Sequence, residues 1–446
     1  MPNEKIFLTK VQLFEGEAKK YFYENNFGYL ASKSDKLVIS FAGLEGRPAF
    51  QFYGTLRDLG YNALFLKDIN KNWYNRGVSC FGNDIEDTLV ILRHLTSFFD
   101  KKNIFFIGGS MGGYGALLYS SLLGFGNVLA FSPQVVLKRL WSWCPEKKED
   151  LIYSDISKLD YKNSNLTVIS SELPLDVFAL SKISRVSCNT GDFFTTNHQH
   201  NIAKILKQKN VLNTFLKNWI ESNTISFLQL SQELLFDEKT NLTLETLLDA
   251  SYNASWENAL QPTNELTLLN KDWHYLDYYS ARIYFYTHDF QSSFYHIERG
   301  IKKSPDYVSF YGLKASIYAI NGMFDEVFNM YDTNIYLLQY ENFNKIDFYL
   351  HIATLLTKVG KRRAAINIRI FLSTLLRDKN NKKRTNLYQL GRLYFNIGSI
   401  KNARNTFTKI IEEDISDWMH KQILEVYLPE IENIIKSNKS KKTDNE

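Results

Sequence analysis

The chain has 446 residues, too many for one ordinary core, so two domains are the natural expectation. With 44% hydrophobic and 23% charged residues it is globular, and a net charge of +5 gives no case for a nucleic-acid partner. The cysteines Cys80, Cys144 and Cys188 lack metal or redox spacing, the Met1-Pro-Asn-Glu-Lys-Ile-Phe start lacks a signal-like apolar core, and no apolar run approaches the ~20 residues that span a bilayer.

These features predict a cytoplasmic protein with free thiols, no metal and no transmembrane segment, able to sit peripherally at the inner membrane through a partner. The first 35 residues are expected to add antiparallel edge strands. From about residue 36, short apolar strands alternate with amphipathic helices, the pattern of a parallel α/β sheet. Leu37–Ala42 reads as a strand ending at Gly43, Pro48–Leu59 as a helix and Asn62–Leu66 as the next strand. Asn83–Phe99 reads as a helix opened by an Asn83-x-x-Glu86 capping pattern. Ile104–Ile107 runs into Gly108-Gly109-Ser110-Met111-Gly112 and a helix of small residues, and Asn127–Phe131 is the strand after it. Residues 134–163 lack strand periodicity and read as a lid-like insertion. Leu166–Ser170 and Val186–Asn189 are two further short strands, and a helix over Asn201–Glu221 closes a domain spanning 1–222.

Residues 223–256 read as a helical linker, after which the strand pattern vanishes. Ala281, Tyr284, Phe290 and Phe294 recur as Ala315, Tyr318, Phe324 and Phe328, an offset of 34 that is the tetratricopeptide period. The turn element returns as Gly360-x-Arg362-x-x-Ala365 and Gly398-x-Ile400-x-x-Ala403. The fold class expected is therefore an α/β sheet domain followed by an all-α tetratricopeptide-like repeat domain over 257–435. The apolar-free stretch 436–446 is expected to be a disordered tail.

The chemistry concentrates at Ser110. An apolar strand, Gly-x-Ser-x-Gly and a helix together form the pattern of a nucleophile elbow. A serine on so sharp a turn needs neighbours without a Cβ at both ±2 positions, and Gly108 and Gly112 fill them. A hydroxyl is a weak nucleophile until a base takes its proton, and in elbow-bearing sheets the chain order is Ser, acid, His. Of eight histidines, His94 precedes the serine and five lie in the repeat region, leaving His198 and His200. His200, followed by Asn201 and a helix, is the favoured base and His198 the alternate. Asp176, in the loop after Leu166–Ser170, is the favoured acid, with Asp192 and then Glu172 as alternates; Asp176 as a helix cap is the structural reading. The oxyanion donors expected are the backbone N–H of Met111 and of Gly43 or Leu44. Arg47, Trp73 and Tyr74, near the carboxyl ends of strands, suit a sugar carrying a carboxylate or phosphate, and loop packing accounts for them equally.

The first 220 residues resemble an α/β-hydrolase, on Gly108-Gly-Ser-Met-Gly112 with Asp176 and His200 in the expected order. More narrowly, Phe41-Ala-Gly43, the Asp68–Gly77 loop, Gly109-Ser-Met-Gly-Gly-Tyr114 and Phe131-Ser-Pro-Gln134 are similar to hydrolase-type O-acetyltransferases of bacterial capsule and surface polysaccharides. That resemblance implies that Ser110 takes an acetyl group from acetyl-CoA, with no bound cofactor, and passes it to a sugar hydroxyl. The repeats would then dock a protein partner of glycan assembly. The same triad serves a carboxylesterase or deacetylase, since water and a sugar hydroxyl attack an acyl-enzyme alike. The reading from another class is a repeat scaffold whose hydrolase domain is inactive.

Overall fold

The computed structural model describes residues 26–44, 50–139, 141–142, 144, 151–186, 191–197, 200–333, 344–376, 381–413 and 417–443. The chain divides into two compact units, Met1–Tyr275 and Leu276–Glu446. The first is a mixed α/β sheet unit and the second is helical throughout its described residues. Among the described residues no helix is long and apolar enough to cross a membrane.

The sheet has eight strands: β1 (Phe27–Leu30), β2 (Leu37–Phe41), β3 (Asn62–Leu66), β4 (Ile104–Gly109), β5 (Gly126–Phe131), β6 (Ser164–Ser171), β7 (Gly191–Thr196) and β8 (Leu230–Ser231). Their spatial order is β1-β3-β2-β4-β5-β6-β7-β8. The six inner strands are parallel, while β1 and β8 are antiparallel edges. Every residue of β2, β3 and β4 is buried, as expected of parallel strands covered on both faces. Alternation sorts their side chains into two layers. Ile39, Phe41, Phe106, Val128 and Val168 pack in one core and Val38, Phe65, Ile107, Leu129 and Ile169 in the other.

The helices that cover the sheet are α1 (Tyr53–Leu59), α2 (Ile85–Thr96), α3 (Met111–Leu123), α4 (Pro174–Val186), α5 (Ile202–Gln208) and α6 (Leu212–Ser222). Leu92 of α2, Leu117 of α3 and Ile183 of α4 join the first core. Leu56, Ile202, Phe215 and Trp219 join the second. The described part of the 134–163 insertion is tied to the first core by Val135, Leu137, Ile156 and Tyr161.

Several boundaries differ from the sequence reading. The strand expected at 186–189 begins at Gly191, because Val186 closes α4; residues 187–190 lie outside the described set. The helix expected over 201–221 is broken in two at Asn210, which has φ 57°. Residues 223–256, expected to be a helical linker, do carry a helix. Their helix α7 (Glu238–Tyr252) packs on α4, burying Leu244 and Leu247, and Trp141 Nε1 donates to Asp249 at 2.7 Å. With α8 (Trp256–Leu269), this segment belongs to the first unit. Its leucines needed a partner that only the folded sheet unit supplies.

The second unit is a row of helical hairpins: α9 (His274–Tyr286), whose first two residues belong to the first unit, with α10 (Phe290–Lys303), α11 (Val308–Ile320) with α12 (Phe324–Thr333), α13 (Lys345–Lys358) with α14 (Arg362–Leu375), and α15 (Asn381–Asn396) with α16 (Ile400–Ile411). Gly322, Gly360 and Gly398 turn three of these hairpins at φ 78°, 73° and 75°. Ala281, Ala315, Ala365 and Ala403 are fully buried where helices meet. After α17 (Trp418–Gln422), α18 runs over Leu428–Thr443. The expected tail at 436–446 is thus helical to Thr443. No Gly or Pro falls in that stretch to stop the helix.

Two glycines set contrasting expectations for stability. A Cβ on Gly112 would lie 2.1 Å from the Phe41 carbonyl oxygen, whereas one on Gly360 meets open space and only the strain of its positive φ. Gly112→Ala is expected to cost about 3 kcal/mol or more, and Gly360→Ala about 1–2 kcal/mol. Urea melts of the two variants check the order.

Candidate active site

β4 delivers Ser110 to the carboxyl edge of the sheet and α3 begins at the next residue. Ser110 sits at φ 55°, ψ −121°, backbone a side chain disfavours. Such a conformation costs roughly 1–3 kcal/mol and persists only when its surroundings impose it. Here they do. A Cβ on Gly108 would lie 2.2 Å from the backbone of Gly112, so only glycine lets β4 meet α3 this closely. Ser110 N–H donates to the Phe131 carbonyl at 2.8 Å, and its own carbonyl accepts from Tyr114 N–H at 3.0 Å. The hydroxyl does not cap α3, and the residue is part-exposed at the edge.

Asp176 lies in the first turn of α4, with 1% of it exposed. Ser171, the last residue of β6, donates its hydroxyl to Asp176 Oδ2 at 2.6 Å. His200, just before α5, brings Nδ1 to 2.9 and 3.0 Å from the two Asp176 oxygens. A carboxylate only accepts, so Nδ1 carries the proton and Nε2 is left as the basic nitrogen. Burial is the strongest influence on His200 and pulls its pKa down. The charge of Asp176 and the hydrogen bond to it together outweigh burial, so the imidazole is held above its ordinary 6.5.

A backbone relay links this pair to the serine. Ser171 N–H donates to Ser132 Oγ at 3.1 Å, and Ser132 follows the Phe131 carbonyl that takes Ser110 N–H. The acid and the elbow are therefore fixed through adjacent strand ends of one sheet.

Met111 is the first residue of α3, so its N–H has no acceptor within the helix. Gly43 and Leu44 follow β2, and a Cβ on Gly43 would lie 3.0 Å from the Gly109 carbonyl. The stretch expected to furnish the second oxyanion donor thus runs beside the elbow.

No protein-family model matches the chain, and no curated protein sequence does. Solved structures give a distant likeness. The capsule O-acetyltransferase of Neisseria meningitidis serogroup A aligns at 15% identity and TM-score 0.34, over 44% of this chain and 91% of that one. The same enzyme as a histidine-to-alanine variant in complex with CoA aligns at 15% and 0.33, over 44% and 91%. The Glycosylation Associate Protein complex from Streptococcus agalactiae aligns at 12% and 0.34, over 44% of this chain and 47% of that one.

The remaining sequence-derived residues divide. His198 and Arg47 lie outside the described residues. Asp192 is exposed on β7, and the carboxylate against His200 is that of Asp176. Glu172 faces His274 Nδ1 at 3.7 Å, and burial, then the nearby Glu233, raises its pKa. Trp73 and Tyr74 are fully buried and present no ring to a sugar. The Tyr74 hydroxyl donates towards the Ala42 and Leu66 carbonyls at 2.8 and 3.2 Å, and its ring occupies the space a Cβ on Gly115 would enter. Trp73 packs edge-on against Tyr114. Both are packing elements that brace α3 and the β2 terminus, which corrects their assignment as substrate contacts.

Two contributors escaped the sequence reading. Ser171 is one. Gln51 is the other: its Oε1 accepts from Gly109 N–H at 3.4 Å, and its Nε2 lies 3.0 Å from where a Cβ of Gly109 would be. The only hint was Gly109 itself, a glycine that the elbow does not require.

Activity is expected to rise with pH through the pKa of His200, above 6.5, since only the neutral imidazole accepts a proton. Asp176→Asn removes both upward influences, so the inflection of the kcat/KM profile should move to lower pH. The rate should fall by about four orders of magnitude, as a wrongly held imidazole tautomer costs elsewhere. A pH–rate series on an activated acetyl ester checks both.

Proposed function

We propose that this chain is a serine acyltransferase of the α/β-hydrolase kind that O-acetylates a bacterial capsular or surface polysaccharide, with acetyl-CoA as donor. The observation that carries the reading is the strained, part-exposed Ser110 on a sheet edge shared with the Asp176–His200 pair. The parallel order β3-β2-β4-β5-β6-β7, with the serine at the end of β4, supports the hydrolase fold. The glycan and the donor rest on the short motifs around Phe41, Ser110 and Phe131.

In the first half-reaction Ser110 Oγ gives its proton to His200 Nε2 and attacks the thioester carbonyl. The oxyanion is held by the N–H of Met111 with that of Gly43 or Leu44. Collapse breaks the C–S bond, and the thiolate leaves with the proton from His200. In the second, a sugar hydroxyl gives its proton to His200 and attacks the acyl-enzyme. Collapse then frees Ser110, which recovers the proton. Asp176 stabilises the imidazolium at each stage. The second unit, read as tetratricopeptide-like from the 34-residue spacing of Ala281 and Ala315, would dock a protein of the glycan-assembly machinery.

A fluorophosphonate probe should label the wild type at Ser110 and leave Ser110→Ala unlabelled. Incubated with acetyl-CoA and surface glycans, the wild type should yield an acetylated sugar. Acetate alone would assign an esterase or deacetylase, and an unlabelled wild type would leave only a binding scaffold.

A further inference from the structure

We propose that the cavity of about 490 Å³ lined by Asn70, Asn72, Arg76, Ser79, Cys80 and Asn83 is the subsite that holds the acceptor sugar. This rests on the acyl-transfer reading and names where its second substrate sits. The chemistry of the lining selects the ligand. Three carboxamides and a hydroxyl each donate and accept hydrogen bonds, the complement of a ring of sugar hydroxyls, and the Asp68 carboxylate also lines the cavity. An acyl chain or an adenine ring would find little hydrocarbon there, because the neighbouring Trp73 and Tyr74 rings are turned into the core.

The cavity is preformed. Its loop winds around Asp68, a residue 6% exposed, whose carboxylate accepts Tyr74 N–H at 2.9 Å, along with the backbone of Asn70, Asn72 and Lys71. That winding places Lys71, Trp73 and Tyr74 at φ 54°, 56° and 59°. Downstream, Asn75 Nδ2 donates to the Tyr114 hydroxyl at 2.9 Å, and Asn75 Oδ1 accepts Tyr153 N–H at 2.7 Å. At the far rim a Cβ on Gly77 would meet the Asp84 carbonyl at 2.2 Å.

The position suits an acceptor. The loop leaves the carboxyl end of β3, and Tyr74 ties it to Ala42, the residue before the oxyanion stretch at Gly43. β3 lies two strands from β4, roughly 10 Å of sheet at ordinary strand spacing. A glycan seated in the cavity therefore has its chain on the edge that carries Ser110.

The exposed thiol of Cys80 reports occupancy directly. The full chain is alkylated with N-ethylmaleimide, and the Cys80 rate is read by peptide mapping. Oligomers of N-acetylhexosamine, hexuronic acid and sialic acid are added singly, with acetyl-CoA as a separate arm. At least one glycan should slow Cys80 labelling about fivefold or more, and acetyl-CoA should not. Protection by no glycan overturns the proposal, as does protection by acetyl-CoA alone, which would make the cavity a donor site. An Asn70→Ala, Asn72→Ala double variant should raise the KM of the protecting glycan about tenfold and pass fewer acyl groups to sugar relative to water. An unchanged KM also overturns it. Because protection should persist in Ser110→Ala, binding is read even if the serine chemistry fails. Fluorophosphonate labelling reads that chemistry even if the cavity holds nothing.

Discussion

A serine held in backbone that its own side chain disfavours is the constraint on which the first unit depends. Ser110 can stay at φ 55° only because β2, β4 and α3 cross so closely that Gly108 and Gly112 have no room for a Cβ. The core enforces that crossing. Phe41 and Phe106 stack at 6.5 Å beneath it, and Tyr74 fills the groove left by Gly115. Burial of this aromatic layer opposes the local strain, so the hydroxyl is presented at the edge without capping its own helix. A helix begins at the next residue, and the loop after β2 approaches the Gly109 carbonyl. In the proposed mechanism the same constraint that costs stability would also supply the electrostatics for an oxyanion.

Asp176 and His200 are held by the same sheet from its other half. β5 and β6 are adjacent and parallel, so their ends bring Ser132 and Ser171 into contact. Ser171 spends its hydroxyl on Asp176 and its N–H on Ser132, leaving the carboxylate committed to His200. Burial alone would discharge that imidazole, and the paired carboxylate reverses the direction. Its basicity is therefore a property of the pair rather than of the ring, which ties the proposed chemistry to the register of two strands.

How much of this was legible in the sequence follows from the range of each interaction. The elbow was, because the requirement for glycine at ±2 is local geometry and needs no knowledge of the rest of the fold. The alternating strands and the helical second half were, because each is a periodicity. Asp176 and His200 could be named from chain order and a small pool of histidines, but their contact needed β6 and β7 brought side by side. Ser171 had no signal and Gln51 only the unexplained Gly109, since a serine and a glutamine are ordinary residues until the sheet sets them against Asp176 and Gly109. Trp73 and Tyr74 stayed open between substrate contact and loop packing for a definite reason. Aromatics beside cations describe both an exposed platform and a buried plug, and the missing Cβ of Gly115 decides for the plug. The packing of the 223–256 segment on α4 had no local signal, because its leucines meet that helix only once the sheet unit has folded.

The central claim is that the Ser110 hydroxyl becomes the carrier of an acyl group. The most direct measurement is rapid acid quench of the enzyme mixed with acetyl-CoA and no acceptor, followed by intact-mass analysis and peptide mapping. One added acetyl group should appear on the peptide holding Ser110, and it should vanish when an acceptor glycan is supplied. Turnover of acetyl-CoA with no acetyl on that peptide, or with the adduct on another side chain, would contradict the covalent mechanism.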